Sequence, residues 1–92
     1  MIHSFRCKAT EDLFNSKPSV QFKNIERVVR RKLLQLHAAT ALRDLRIPPG
    51  NMLEALQGDR EGQHSIRIND LWRICFIWKE DGVHDVEIVD YH

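Results

Sequence analysis

The chain has 92 residues, is 42% apolar and 29% charged, and carries a formal net charge of +1. That length and balance suit one globular domain, 1–92, and exclude a second domain or a disordered chain. No apolar run approaches the roughly 20 residues needed to span a bilayer, and the first twenty residues lack a secretory h-region, so no membrane association and a cytoplasmic location are expected. Cys7 and Cys75 have no metal-motif spacing and are expected to be reduced thiols.

The near-neutral total hides a split. Residues 1–49 hold ten Lys/Arg against four Asp/Glu, while residues 50–92 hold four against nine. A basic half can attract phosphate backbones, although a solvated helix face reads the same way.

In chain order, Met1-Ile2-His3-Ser4-Phe5 alternates like a short strand. Thr10-Glu11-Asp12-Leu13-Phe14 reads as a helix start with Thr10 as N-cap. After Pro18-Ser19 a longer helix is predicted from about Val20 to Ala39, with Ile25, Val28, Val29, Leu33 and Leu36 as its apolar stripe. Lys23, Arg27, Arg30 and Arg31 fall on the other side and form one basic face. Arg46-Ile47-Pro48-Pro49-Gly50-Asn51 marks a loop. Beyond it the period changes to two. Ser65–Asn69 and Leu71–Trp78 are predicted strands, Glu80-Asp81-Gly82 is hairpin chemistry, and Val86–Tyr91 is a third strand. This order predicts an α+β domain: an N-terminal strand and two helices packed on one face of a small, mostly antiparallel sheet. Trp72, Ile74, Phe76 and Trp78 should face the helices, leaving Arg73 on the uncovered face.

The sequence contains no glycine-rich phosphate loop, no metal-spaced His/Cys set and no nucleophile elbow. Of the five histidines, His3, His37, His64 and His84 read as ordinary surface or core residues. His92 differs because it follows Asp90-Tyr91 at the end of a predicted strand. If pairing holds that end beside Arg73, the four side chains can supply acid–base and phosphate chemistry.

Gln57-Gly58-Asp59-Arg60-Glu61-Gly62-Gln63-His64-Ser65-Ile66-Arg67-Ile68-Asn69, then Trp72-Arg73-Ile74, and a closing Asp90-Tyr91-His92 resemble the HigB toxins, a branch of the RelE superfamily. Leu45-Arg46 before Pro48-Pro49-Gly50-Asn51 resembles the GraT-like group within it, and Ile2-His3-Ser4-Phe5 resembles the family's opening. The resemblance implies a microbial RNase-like RelE fold. It also implies a ribosome-dependent endoribonuclease that cuts messenger RNA in the A site by attack of the ribose 2′-OH on the adjacent phosphate, without metal or other cofactor. His92 would transfer protons, Asp90 would orient it, Tyr91 would stack on a base or donate a hydrogen bond, and Arg73 would hold phosphate oxygens. Lys23, Arg27, Arg30 and Arg31 would grip ribosomal RNA, and Arg60 would bind RNA or hold its turn.

The chain departs from the best-known HigB pattern at two positions, where Glu54 stands for a histidine and Gln57 for a lysine. Glu54 can serve as a base but adds negative charge. Gln57 offers a hydrogen bond to RNA without charge. A slower enzyme leaning on Arg73 and His92 is the expectation; the alternative is a growth inhibitor that binds ribosomes or their assembly intermediates without cutting RNA. The implied partner is a helix-turn-helix antitoxin of the HigA type, in a heterotetramer that reaches operator DNA only through the antitoxin.

Overall fold

A computed structural model describes residues 1–90; Tyr91 and His92, both expected site residues, lie outside the described residues. Two α-helices, α1 (Lys8–Phe14) and α2 (Glu26–Ala38), precede four strands, β1 (Glu54–Ala55), β2 (His64–Arg67), β3 (Trp72–Lys79) and β4 (Gly82–Asp90). The strands form one antiparallel sheet in the order β1-β2-β3-β4. The N-terminal segment lies along the outer edge of β4 through two parallel bridges, Ile2 to Val83 and Phe5 to Val86. Thr10 does not cap α1. The helix begins two residues earlier, and the buried Thr10 hydroxyl accepts the Ile88 N–H at 3.2 Å. Edge pairing of β4 claims this side chain, so the edge is closed by the N-terminal segment and α1 together.

The period-3.6 and period-2 stripes meet in one core. Val29, Leu33 and Leu36 of α2 and Leu13 of α1 are fully buried against Ile66, Ile74, Phe76 and Val86. Trp72 meets Phe22 edge-on at 5.3 Å and packs on the rim of this core, as does Trp78. At roughly 1.5–3 kcal/mol per fully buried large apolar side chain, this layer is the main source of stability. α2 is shorter than its sequence pattern, because Lys23–Ile25 forms a 3₁₀ turn ahead of it. Between β3 and β4 a bulge follows Cys75, and Asp85 lies within it at a φ of 53°.

The expected four-residue basic face is smaller in the structure. Arg27 and Arg31 are exposed on α2, and Lys23 is exposed on the preceding 3₁₀ turn. Arg30 turns inward: its Nε donates to the Leu13 carbonyl at 3.1 Å, its Nη2 donates to the Lys17 carbonyl at 3.1 Å, and Glu26 pairs with it at 3.4 Å. The Leu13 carbonyl in the last turn of α1, which also accepts the Ser16 N–H, and the Lys17 carbonyl beyond it draw that guanidinium away from solvent.

The loop between α2 and the sheet is anchored from within. After a cis Ile47–Pro48 bond, Pro49–Asn51 makes a 3₁₀ turn that buries Asn51 completely. The Asn51 amide donates to Gln35 Oε1 (3.1 Å) and the Leu45 carbonyl (3.0 Å), and its oxygen accepts from Lys32 Nζ. Burial pushes the Lys32 ammonium below its ordinary pKa, with Arg31 adding to the effect. These bonds fix where the chain leaves the loop at Met52, and so where β1 joins the sheet.

Candidate active site

Residues paired across an antiparallel sheet share a face. The register therefore sets Glu54 (β1), Ser65 (β2), Cys75 (β3) and Glu87 (β4) in one row on the side away from the helices, with Arg67, Arg73 and Val89 in the next. The segment from Glu54 to Arg60 rises over this row and encloses a cleft of about 440 Å³ lined by Glu54, Ala55, Leu56, Gln57, Arg60 and Cys75. Gly58 turns that segment at a φ of 67°, a backbone that favours glycine.

Arg73 is on the expected face but is not open to solvent; its side chain is only 7% exposed. Its Nε donates to Ser65 Oγ at 2.8 Å, its Nη2 donates to the Met52 carbonyl at 2.8 Å, and Glu54 Oε1 stands 3.7 Å away. The cover is the Met52–Ala55 segment. Its two-residue strand is too short to leave a period-two signal in the sequence, so the uncovered face expected there is covered. The consequence is chemical: a guanidinium locked by two neutral acceptors is held in a fixed plane.

Arg60 sits at the cleft's edge. Its Nη1 donates to Glu87 Oε1 at 2.8 Å and to Gln63 Oε1 at 3.1 Å, and the hydrogen bond to Glu87 raises its pKa further. Part of its charge is therefore spent inside the fold, while its side chain remains 38% exposed. Cys75 lies fully buried on the cleft floor, and burial pushes its thiol up. A thiol kept protonated in this way is a floor residue and a poor nucleophile. Asp90, at the end of β4, pairs with Trp72, the neighbour of Arg73. Glu54, Gln57 and Arg60 thus line one cleft, with Arg73 behind Glu54, whereas Asp90, paired with Trp72, falls on the helix-side face of the sheet and not in the row of Arg73. Lys23, Arg27 and Arg31 belong to the helical layer.

A protein-family model described as a HigB-like, RelE-like toxin of type II toxin–antitoxin systems matches residues 3–92. The chain belongs to this toxin family. A curated relative, toxin HigB-1 of Vibrio cholerae serotype O1, is 48% identical over 69 residues, covering 75% of this chain and 72% of that one. An uncharacterized protein of Haemophilus influenzae is 33% identical over 63 residues, or 68% of this chain and 62% of that protein. Among solved structures, the heterotetrameric YoeB–YefM toxin–antitoxin complex from Staphylococcus aureus contains a chain with a TM-score of 0.59 at 20% identity, covering 100% of this chain and 95% of that one. A second YoeB–YefM complex from the same organism gives 0.58 at 20% identity with the same coverage. These neighbours share the fold of this HigB-like toxin, the RelE fold. RelE-family toxins are generally endoribonucleases.

The cluster that sequence reading did not find lies at the other end of the sheet. His3 and His84 stack with ring centroids 5.1 Å apart, both next to Asp81 in the β3–β4 turn. They are separated by 81 positions, so no local spacing could announce them. No helix among the described residues is long and apolar enough to cross a membrane.

Proposed function

We propose that this toxin is a ribosome-dependent endoribonuclease that cleaves messenger RNA in the A site and so arrests translation. The observation that carries the reading is the locked guanidinium of Arg73, 3.7 Å from Glu54, which with Gln57 and Arg60 lines the neighbouring cleft. In the reaction the ribose 2′-OH loses its proton, its oxygen bonds to the adjacent phosphorus, and the bond to the 5′-oxygen breaks. That oxygen leaves with a proton, and a 2′,3′-cyclic phosphate remains. Arg73 stabilises the extra negative charge on the phosphoryl oxygens as they develop. Glu54, its side chain 45% exposed at the cleft mouth, accepts the 2′-OH proton. His92 protonates the leaving oxygen, Asp90 orients it, and Tyr91 stacks on a base. These last roles rest on the sequence, in which Tyr91 and His92 directly follow Asp90. Gln57 and Arg60 bind the RNA backbone, and none of the steps calls on a metal or other cofactor.

Lys23, Arg27 and Arg31 grip ribosomal RNA in a salt-sensitive, sequence-independent contact, with Arg30 supporting them through its hold on α1. The cognate partner is a helix-turn-helix antitoxin of the HigA type, bound in a heterotetramer that contacts operator DNA through the antitoxin. The YoeB–YefM assembly from Staphylococcus aureus, also a heterotetramer, supports a complex of that kind. The site of action is the cytoplasm, where ribosomes are.

The test is cleavage mapping on a translated messenger in a cell-free extract. Wild type should cut within codons only when ribosomes translate, and Arg73→Ala and His92→Ala should each lower the cutting rate about 100-fold or more. Growth arrest with intact messenger, persisting in His92→Ala, would instead establish a non-cleaving ribosome blocker. Glu54 and Glu87 favour that second reading, because both add negative charge where an anionic substrate must lie.

A further inference from the structure

At the end of the sheet remote from Arg73, three parts of the chain are pressed together. The β3–β4 turn places Lys79 opposite Gly82, and the N-terminal segment is laced to it by His3 N–H to the Val83 carbonyl (2.7 Å) and Val83 N–H to the Met1 carbonyl (2.9 Å). Gly82 has a φ of 136°, and a Cβ there would collide with the Met1 carbonyl and the His3 ring. Glycine is required at this position because the N-terminal segment passes so close. This lacing sets the His3 ring against the His84 ring, stacked at 5.1 Å with 18° between their planes. Both Nε2 atoms point to one residue: His84 Nε2 lies 2.8 Å from Asp81 Oδ1, and His3 Nε2–H donates to the Asp81 carbonyl.

We propose that His3, Asp81 and His84 form a binding site for a divalent transition-metal ion of the zinc class. One ligand atom from each residue lies within 4.8 Å of the other two. Bonds of about 2.0–2.2 Å to imidazole and carboxylate in a tetrahedral site place ligands roughly 3.3 Å apart. Two imidazoles and one carboxylate are a donor set suited to zinc and its neighbours, and not to magnesium or calcium. The required contraction is on the order of 1.5 Å, and Asp81, 65% exposed on the turn, can rotate without disturbing the core. On binding, each ring moves its proton to Nδ1 and gives the Nε2 lone pair to the metal, which replaces the hydrogen bonds now made to Asp81. Three protein ligands leave a fourth position for water. Ile77, the cross-strand partner of His84, is four residues beyond Arg73 on one strand, which at about 3.3 Å per residue puts this site roughly 13 Å from Arg73. The ion therefore acts as a staple between the N-terminal segment and the β3–β4 turn, not in RNA cleavage.

The experiment is thermal unfolding of the untagged full chain with and without Zn²⁺, backed by the visible absorption of the Co²⁺ form. At free zinc about a hundredfold above Kd, wild type should gain about 10 °C or more in Tm. His84→Ala and Asp81→Asn should lose that gain and the cobalt band, whereas Asp81→His, which keeps a ligand there, should retain both. Circular dichroism of each variant shows whether it is folded. No zinc response in wild type overturns the proposal. So does an unchanged response in folded His84→Ala, which would assign the metal to other groups.

Discussion

The two faces of the sheet are built on opposite principles. The helix-side face is apolar and packed: Ile66, Ile74, Phe76 and Val86 are fully buried under α1 and α2. The other face carries Glu54, Arg67, Arg73 and Glu87, and its cover at Arg73 is one short segment held by Asn51. The first face stabilises the fold by removing area from water. The second keeps charges in place by hydrogen bonds, at the cost of desolvating Arg73. The second face depends on the first, because a charge cannot be held still without a rigid layer behind it.

That contrast can be broken from either side. Phe76→Ala, on the packed face, should lower unfolding free energy by about 3–5 kcal/mol in urea titration. Arg73→Ala, on the charged face, should cost only about 1–3 kcal/mol, since Ser65 Oγ and the Met52 carbonyl lose a donor but water can enter from the cleft. If Arg73→Ala destabilised the protein as much as Phe76→Ala, Arg73 would be a core residue first.

Asn51→Ala tests the link between the faces. It leaves Lys32 and the Leu45 carbonyl without their buried partner, and should cost about 1–3 kcal/mol. RNA cleavage should fall along with it as Met52 and Glu54 shift. Cleavage at the wild-type rate in Asn51→Ala would show that the loop anchor does not set the cleft.

The smallest effect is expected at Asp44, on the solvent side of the helical layer. The Ala41 and Thr40 backbone N–H groups hold its carboxyl below the ordinary range. A depressed folded pKa adds stability above the unfolded value and loses it as pH falls through the folded one. Asp44→Asn should therefore lower stability slightly at neutral pH and narrow the gap to wild type in acid, as followed by urea midpoints at pH 7 and pH 3. A gap that widened in acid would reverse the assigned sign.

The residues themselves disclosed much of this protein. The stripe of Val29, Leu33 and Leu36 and the alternation through Ile74 and Phe76 fix the helix–sheet core, because burial follows directly from periodicity. The Glu80-Asp81-Gly82 hairpin was equally readable, since few residues suit that turn. The segment from Gln57 to Asn69, with Trp72-Arg73-Ile74, carried the family.

Other features depended on contacts distant in sequence. Thr10 reads as a cap, yet it seals the edge of β4; Arg30 reads as a surface cation, yet it binds the end of α1. Arg73 reads as exposed, but a two-residue strand with no pattern of its own covers it. His3 and His84 carry no signal at all until the N-terminal segment lies down beside the hairpin. Local periodicity decides which side of an element is apolar, and only the tertiary fold decides which polar groups meet.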